Sequence, residues 1–120
     1  MIGIQLNDIL GVFSDYRLMQ KPEHIAKAFT ALSHKRRVII YRTLRASGAG
    51  GLSHGALQIA TRLSPMTLSH HLRPMLQAGL VKRKQRGSFA IFSLTPSAVT
   101  DVMDSLAAEA ALDPNKARAA

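Results

Sequence analysis

The stretch between Ser53 and Ala78 contains two short helical patterns with only a few residues between them. Ser53 precedes the run HGALQIATRL, and Ser64-Pro65 precedes a second run that continues to Ala78, just before Gly79. Serine is a favoured helix N-cap and proline suits the first helical position, so both helix starts are marked in the sequence. Two helices joined by a tight turn, the second bearing polar side chains, predict a helix-turn-helix.

Two β-prone runs follow the second of these helices. The runs LVKRK and SFAIFSL are joined by Gln85-Arg86-Gly87, and in the second run Ala90, Phe92 and Leu94 fall on one side of the strand. This alternation predicts a β-hairpin with a basic tip. A hairpin placed directly after a helix-turn-helix is the wing of a winged helix-turn-helix.

Further helices are predicted on both sides of this unit. An amphipathic pattern predicts a helix over residues 4–19, Pro22 marks the start of a second helix, and Ser33 is expected to cap a third. Thr95-Pro96 is expected to open a last helix that ends near Ala111. The positions expected to face inward in the second and third helices are Ile25, Phe29, Leu32, Val38, Tyr41 and Leu44.

The length and composition of the chain fit one folded domain. With 120 residues, 47% of them hydrophobic, the chain can bury a single core, and the domain is predicted over residues 1–112 with a disordered tail over 113–120. The fold class is mainly α with a small β-hairpin. No apolar run approaches the roughly 18 residues of a membrane span, and the N-terminal residues lack a basic signal region, so a cytoplasmic protein without membrane association is expected.

Charge is distributed very unevenly along the chain. The formal net charge is +9, yet no carboxylate occurs from His24 to Thr100, an interval that holds twelve lysines or arginines. Such a block would repel itself unless it had a polyanionic partner. Nucleic acid is the favoured partner, with an anionic membrane or an acidic protein as the alternatives.

The same carboxylate gap argues against an enzyme. Acid/base pairs, catalytic triads and carboxylate-bound metals need Asp or Glu near the chemistry, and no P-loop, dinucleotide-binding glycine pattern or HExxH pattern occurs. With no cysteine, thiolate metal sites and thiol redox sensing are excluded.

The sequence resembles one family in particular. The stretch TLSHHLRPMLQAGLVKRKQRG, followed by IFSLT, closely resembles the ArsR/SmtB-type bacterial winged-helix repressors, whose pattern runs roughly TVSHHLKVLREAGLV before the wing. AFTALSHKRRVIIYRTL resembles an earlier helix and turn of that family, and the likeness covers roughly residues 24–97. It implies a homodimeric DNA-binding repressor whose outer helices form the dimer interface and whose operator binding is relieved by an effector, often a metal ion.

Several positions depart from the family pattern. Arg62 stands where the family usually has the glycine of the turn, and Pro74 lies inside the second helix, where it removes a backbone donor. The last helix offers Asp101, Asp104 and Glu109 but no histidine, so no metal and no other cofactor is predicted. The identity of an effector stays open.

The adjacent histidines His70 and His71 point about 100° apart on a helix, so they do not form a chelating pair. His71 is expected to border the core, whereas His70 lies on the exposed face, which would enter the DNA major groove. For Met66, packing in the core is as well supported as a DNA contact. For the cations of the wing, the alternative to a DNA contact is that they keep the surface soluble. The predicted DNA-binding residues are Ser64, Met66, Thr67, Ser69, His70, Arg73, Lys82, Arg83, Lys84 and Arg86.

Apolar stripes near both ends of the chain exceed what a small helix-turn-helix core needs, although they could also complete one monomer's core. A two-fold dimer interface is predicted from Leu6, Ile9, Leu10, Phe13, Val99, Val102, Met103 and Leu106. The predicted function is a sequence-specific DNA-binding repressor that reads operator DNA with helix 65–78 and contacts it with the 82–88 wing. The alternative is a winged-helix module that binds RNA or an acidic protein.

Overall fold

Five α-helices and three short β-strands follow one another through residues 20–111, the part of the chain that this computed structural model describes. The helices are α1 (Pro22–Ala31), α2 (Lys35–Ser47), α3 (His54–Thr61), α4 (Pro65–Gln77) and α5 (Ala98–Ala110), and the strands are β1 (Leu52–Ser53), β2 (Val81–Arg86) and β3 (Phe89–Leu94). The predicted winged helix-turn-helix is confirmed. The helix predicted over residues 4–19 and the tail predicted over 113–120 lie outside the described residues.

The sheet contains one strand more than the predicted hairpin. Its order is β1-β3-β2, all antiparallel, with Leu52 paired to Phe92 and Ser53 to Ile91. The turn between β2 and β3 is also shorter than predicted, because Arg86 pairs with Phe89 and so belongs to the strand. The turn is therefore Gly87-Ser88, with Gly87 at a φ of 60°.

The core lies where α2, α3, α4 and the sheet meet. α1 contributes mainly two small residues, Ala28 and Ala31, and the predicted inward residue Phe29 is 44% exposed. In α2 the buried residues are Ile40 and Leu44, one turn apart, whereas Val38 is only half-buried. The buried apolar residues contributed by the other elements are Leu57, Leu68, Leu72, Met75, Leu80, Val81, Phe92 and Val102.

Two helix starts differ from the prediction. The N-cap of α2 is His34 rather than Ser33: its Nδ1 accepts a hydrogen bond from the Arg36 backbone N–H at 3.1 Å, while Ser33 Oγ donates to the Thr30 carbonyl at 2.8 Å. Thr95 does not cap α5, because its backbone N–H donates to the Leu80 carbonyl at 2.9 Å and holds Thr95 at the end of the sheet. The helix begins three residues later, at Ala98.

The turn of the helix-turn-helix contains a left-handed residue that is not glycine. Arg62, at the C-terminal end of α3, has φ 58° and ψ 30°, and it is the only non-glycine residue with positive φ among residues 20–111. Glycine adopts this backbone conformation freely, whereas arginine adopts it here at a steric cost of about 1–2 kcal/mol. Pro74, by contrast, does not end α4, which continues to Gln77.

We expect Arg62→Gly to stabilise the protein, because glycine adopts this conformation without the steric cost. The net gain should be about 1 kcal/mol, since glycine also has more conformational freedom in the unfolded chain. This corresponds to a rise of about 4 °C in the thermal midpoint. The matched control is Arg62→Ala, which removes the same charge but keeps a Cβ atom. If both variants shifted the midpoint equally, the backbone explanation would be wrong.

Candidate nucleic-acid interface

The polar face of α4 is presented to solvent, and its opposite face is anchored in the core. Ser64 caps the helix, with its Oγ accepting from the Thr67 backbone N–H at 3.3 Å, and Pro65 occupies the first helical position. The buried side carries Leu68, His71, Leu72 and Met75. Of the six residues predicted on the reading face, Thr67 is half-buried and the others are exposed, namely Ser64, Met66, Ser69, His70 and Arg73.

Met66 lies at the second position of α4 and is 83% exposed. The alternative that it packs in the core of the described chain is therefore excluded. A methionine this exposed presents a flexible apolar side chain to whatever α4 contacts.

The hydroxyl groups of α4 are oriented by their neighbours. Ser64 Oγ donates to Thr67 Oγ1 at 2.9 Å. Ser69 Oγ lies 2.9 Å from Nε2 of His54, and Nδ1 of the same ring lies 2.8 Å from the side-chain Nε2 of Gln58. Because the Gln58 amide nitrogen donates, Nδ1 of His54 accepts, and the ring hydrogen on Nε2 is donated to Ser69. Sequence patterns did not single out His54, since its partner Ser69 is fifteen residues away.

The cations of β2 divide between the two faces of the strand. Lys82, Lys84 and Arg86 alternate along one face, as expected for residues two apart in a strand. Arg83 lies on the other face, opposite Phe92 in the strand pairing, and Phe92 is part of the core. All four cations are exposed. The strand thus presents three cations to one side, while Arg83 lies on the side that faces α4.

The histidine pair separates as predicted: His70 is exposed, and His71 is only 5% exposed. Arg37 Nε donates to His71 Nδ1 at 3.3 Å, and Arg37 Nη1 donates to the Thr30 carbonyl at 2.7 Å. This guanidinium connects α1, α2 and α4, so Arg37 is held within the fold, whereas Lys35 and Arg36 are exposed.

Burial of His71 lowers its pKa below the ordinary value of 6.5, and the nearby His34, Arg37, His70 and Arg36 lower the pKa further. The imidazole is therefore neutral near pH 7. A neutral ring is required for Nδ1 to accept the hydrogen bond from Arg37. The lowered pKa and the hydrogen bond from Arg37 thus both oppose protonation of His71 in the folded protein.

This lowered pKa predicts a loss of stability in mild acid. Below about pH 6.5 the unfolded chain binds a proton at His71 that the folded chain resists, so the free energy of unfolding decreases as the pH falls towards the folded-state pKa. Above pH 6.5 the group makes no pH-dependent contribution. In His71→Asn, which keeps an acceptor near Nδ1 but cannot titrate, urea unfolding should change less between pH 7.5 and 5.5 than in the wild type. An equal change in both proteins would contradict this assignment.

The predicted dimer residues fall into two groups. Leu6, Ile9, Leu10 and Phe13 lie outside the described residues. In α5, Val102 is buried in the chain's own core, Val99 and Leu106 pack against that core, and Met103 is 45% exposed. Within residues 20–111, the α5 stripe thus serves the monomer's core, and Met103 is its exposed member.

Two further features bear on the possible classes of function. Among residues 20–111, no group of three or more histidines and carboxylates is placed to hold a metal ion. The helices of the same segment include none with the length and apolar character needed to cross a bilayer.

Comparisons with known proteins agree on one class of protein. No protein-family model matches the chain. Over 90 residues it is 31% identical to the HTH-type transcriptional regulator YgaV of Escherichia coli K12, covering 75% of this chain and 89% of that relative. The fold is similar to an ArsR-like transcriptional regulator from Rhodococcus, with a TM-score of 0.67 and 22% identity over 74% of this chain and 81% of that one.

A second solved structure shares the fold. It is the homodimeric winged helix-turn-helix DNA-binding domain of a possible ArsR-family regulator from Mycobacterium bovis, with a TM-score of 0.58 and 21% identity over 76% of this chain and 89% of that one. The fold, the capped polar face of α4 and the basic wing, together with these relatives, define a winged helix-turn-helix DNA-binding transcriptional regulator. The chain belongs to the ArsR family of such regulators.

Proposed function

We propose that this protein is a homodimeric repressor that binds a specific operator, with α4 in the major groove and β2 against the DNA backbone. The observation that carries the proposal is the pairing of an exposed polar face on α4 with a wing bearing four cations. No carboxylate occurs between His24 and Thr100 to oppose a phosphate backbone. A DNA-binding regulator acts where the chromosome lies, so a cytoplasmic location is part of the proposal.

Base reading is assigned to the first turns of α4. The Met66 side chain is suited to contact a thymine methyl group, and the His70 imidazole and the Thr67 hydroxyl can bond to base edges. The N-terminal residues of a recognition helix are the ones that contact bases in helix-turn-helix proteins. Arg73 lies two turns further along, where its long side chain suits a phosphate.

The wing is assigned to the sequence-independent part of binding. Lys82, Lys84 and Arg86 share one face of β2, so the three cations can contact successive phosphates or enter the minor groove. Contacts of this kind fix the position of the protein on DNA and make its affinity depend on salt.

A homodimer would set two α4 helices about one DNA turn, roughly 34 Å, apart. Support comes from the homodimeric relative of the same fold and from Met103, which α5 leaves exposed. The residues Leu6, Ile9, Leu10 and Phe13 are proposed to complete this interface with Met103. Repression would follow if the dimer occupied a promoter and excluded the polymerase.

The test is a mobility-shift titration with DNA from upstream of the protein's own gene, against scrambled DNA of the same composition. We expect tighter binding to the upstream DNA, and Met66→Ala or His70→Ala should reduce discrimination at particular base pairs by about 1–3 kcal/mol. Arg86→Ala should instead weaken binding to all sequences alike. Equal affinity of the wild type for both DNAs would reject operator recognition and favour binding to RNA or an acidic protein.

A further inference from the structure

A small cavity lies between α4 and the wing, at the edge of the proposed DNA surface. Its volume is about 280 Å³, close to the lower end of the roughly 300–1,000 Å³ range of ligand pockets. Its exposed lining is almost entirely apolar and includes Leu72, Leu76 and Phe92, called the floor below, beside His54, Ser69 and Gln77. Arg73 of α4 and Arg83 of β2 stand on its rim, on different elements.

Arg73 and Arg83 are the two arginines among the lining residues, and both are exposed to solvent. Arg83 lies on the face of β2 that turns towards α4, and its Nη2 donates to Gln85 Oε1 at 3.2 Å, which helps to orient the guanidinium. The sequence offers neither arginine a carboxylate within the interval from His24 to Thr100. A guanidinium beside an apolar surface binds a carboxylate through two parallel hydrogen bonds.

The floor restricts the kind of anion that would bind. An inorganic phosphate or sulfate would leave the apolar lining of the cavity uncovered, whereas an aromatic or branched apolar group would cover it. The volume accommodates a ligand of one or two rings. A small molecule with an apolar body and a single carboxylate therefore matches both the floor and the rim.

We propose that this cavity binds a small aromatic or branched apolar carboxylate and that its occupation competes with DNA. The binding site itself follows from the cavity, while the competition rests on the proposed function, in which Arg73 and the wing contact phosphates. A carboxylate held by Arg73 and Arg83 neutralises cations that DNA would otherwise use. The carboxylate then lowers the affinity for DNA, and DNA lowers the affinity for the carboxylate by the same factor.

The first experiment measures ligand binding without DNA, with 2-naphthoate as the probe and the full chain as the protein. Arg83→Gln or Arg73→Gln should weaken naphthoate binding by about tenfold or more. The matched control is Arg86→Gln, which makes the same charge change on the other face of the same strand and should leave naphthoate affinity unchanged. The neutral analogue 2-naphthalenemethanol should bind at least tenfold more weakly than naphthoate. Absence of naphthoate binding, or equal loss in Arg83→Gln and Arg86→Gln, would overturn the site.

The second experiment titrates naphthoate into the complex with upstream DNA, using acetate at equal ionic strength as the control. We expect the apparent Kd for DNA to rise in inverse proportion to the fraction of cavities left unoccupied by naphthoate, and acetate to have no such effect. If naphthoate binds and DNA affinity does not change, the competition is overturned. If naphthoate binds and the protein shows no DNA binding at all, the proposed function fails while the carboxylate site stands.

Discussion

Gly51→Ala is expected to destabilise the protein by about 4 kcal/mol or more, a large fraction of the stability of a domain of this size. Gly51 has φ 70° and ψ −168°, a backbone conformation that is essentially restricted to glycine. A Cβ atom built there would overlap the backbone carbonyl oxygen of Phe92 and lie 3.0 Å from the Cβ of Ser93. Because the obstacle is backbone of β3, relief requires that β1 separate from β3.

The chain offers a matched control in Gly48, which lies three residues earlier with nearly the same dihedral angles, φ 73° and ψ −163°. No atom lies within 4 Å of a Cβ built on Gly48. Gly48→Ala therefore measures the dihedral cost alone, about 1–3 kcal/mol. Urea unfolding of both variants separates the two contributions, and equal destabilisation would show that the close approach to β3 has no energetic weight.

Neutralising two wing cations is expected to reduce both DNA affinity and its dependence on salt. In Lys84→Gln combined with Arg86→Gln, the affinity for every DNA sequence should fall by about tenfold at moderate salt. The slope of log affinity against log salt should become shallower by about 1.8, which is the loss of two phosphate contacts. Both the affinity and its salt slope can be measured by fluorescence anisotropy with labelled DNA, at salt concentrations from roughly 50 to 200 mM.

The control for this variant keeps the charge change but moves it away from the wing. Lys21 and Lys27 are exposed, at the start of α1 and within it, and replacing both with glutamine also removes two positive charges. If the wing contacts phosphates, this control should preserve nearly the wild-type salt slope. A slope reduced equally in the two double variants would mean that net charge, rather than the wing, determines DNA affinity.

Local signals in the sequence predicted most of the helix-turn-helix. Ser53 and Ser64 cap α3 and α4 as expected, because capping depends on a side chain and backbone groups only three residues away. The left-handed turn at Arg62 could be anticipated only through the family resemblance, since an arginine does not itself indicate positive φ. β1 was missed because a two-residue strand has no periodicity to detect.

The features that sequence reasoning missed depend on contacts between distant residues. Arg37 is one of the twelve cations of the carboxylate-free interval, but its side chain bonds His71, which is 34 residues away. Ser33 and His34 are both able to cap α2, and the preference for His34 coincides with packing of its ring against His71, at 4.6 Å between centroids. Thr95 resembled a helix cap, but its bond to Leu80 extends the end of the sheet instead. The cavity between α4 and the wing likewise exists only because the wing folds back on α4.

The hydrogen bond from His54 to Ser69 has a consequence for the bases that α4 can recognise. The Ser69 oxygen accepts a hydrogen from the His54 ring, which occupies one of its two lone pairs and favours use of its own hydrogen for a further partner. In the major groove, guanine O6 and N7 and thymine O4 accept such a hydrogen, whereas the cytosine amino group presents a donor. In the proposed complex with DNA, the neighbouring helix α3 thus favours Ser69 as a hydrogen-bond donor, and we expect an acceptor at the base edge that Ser69 meets.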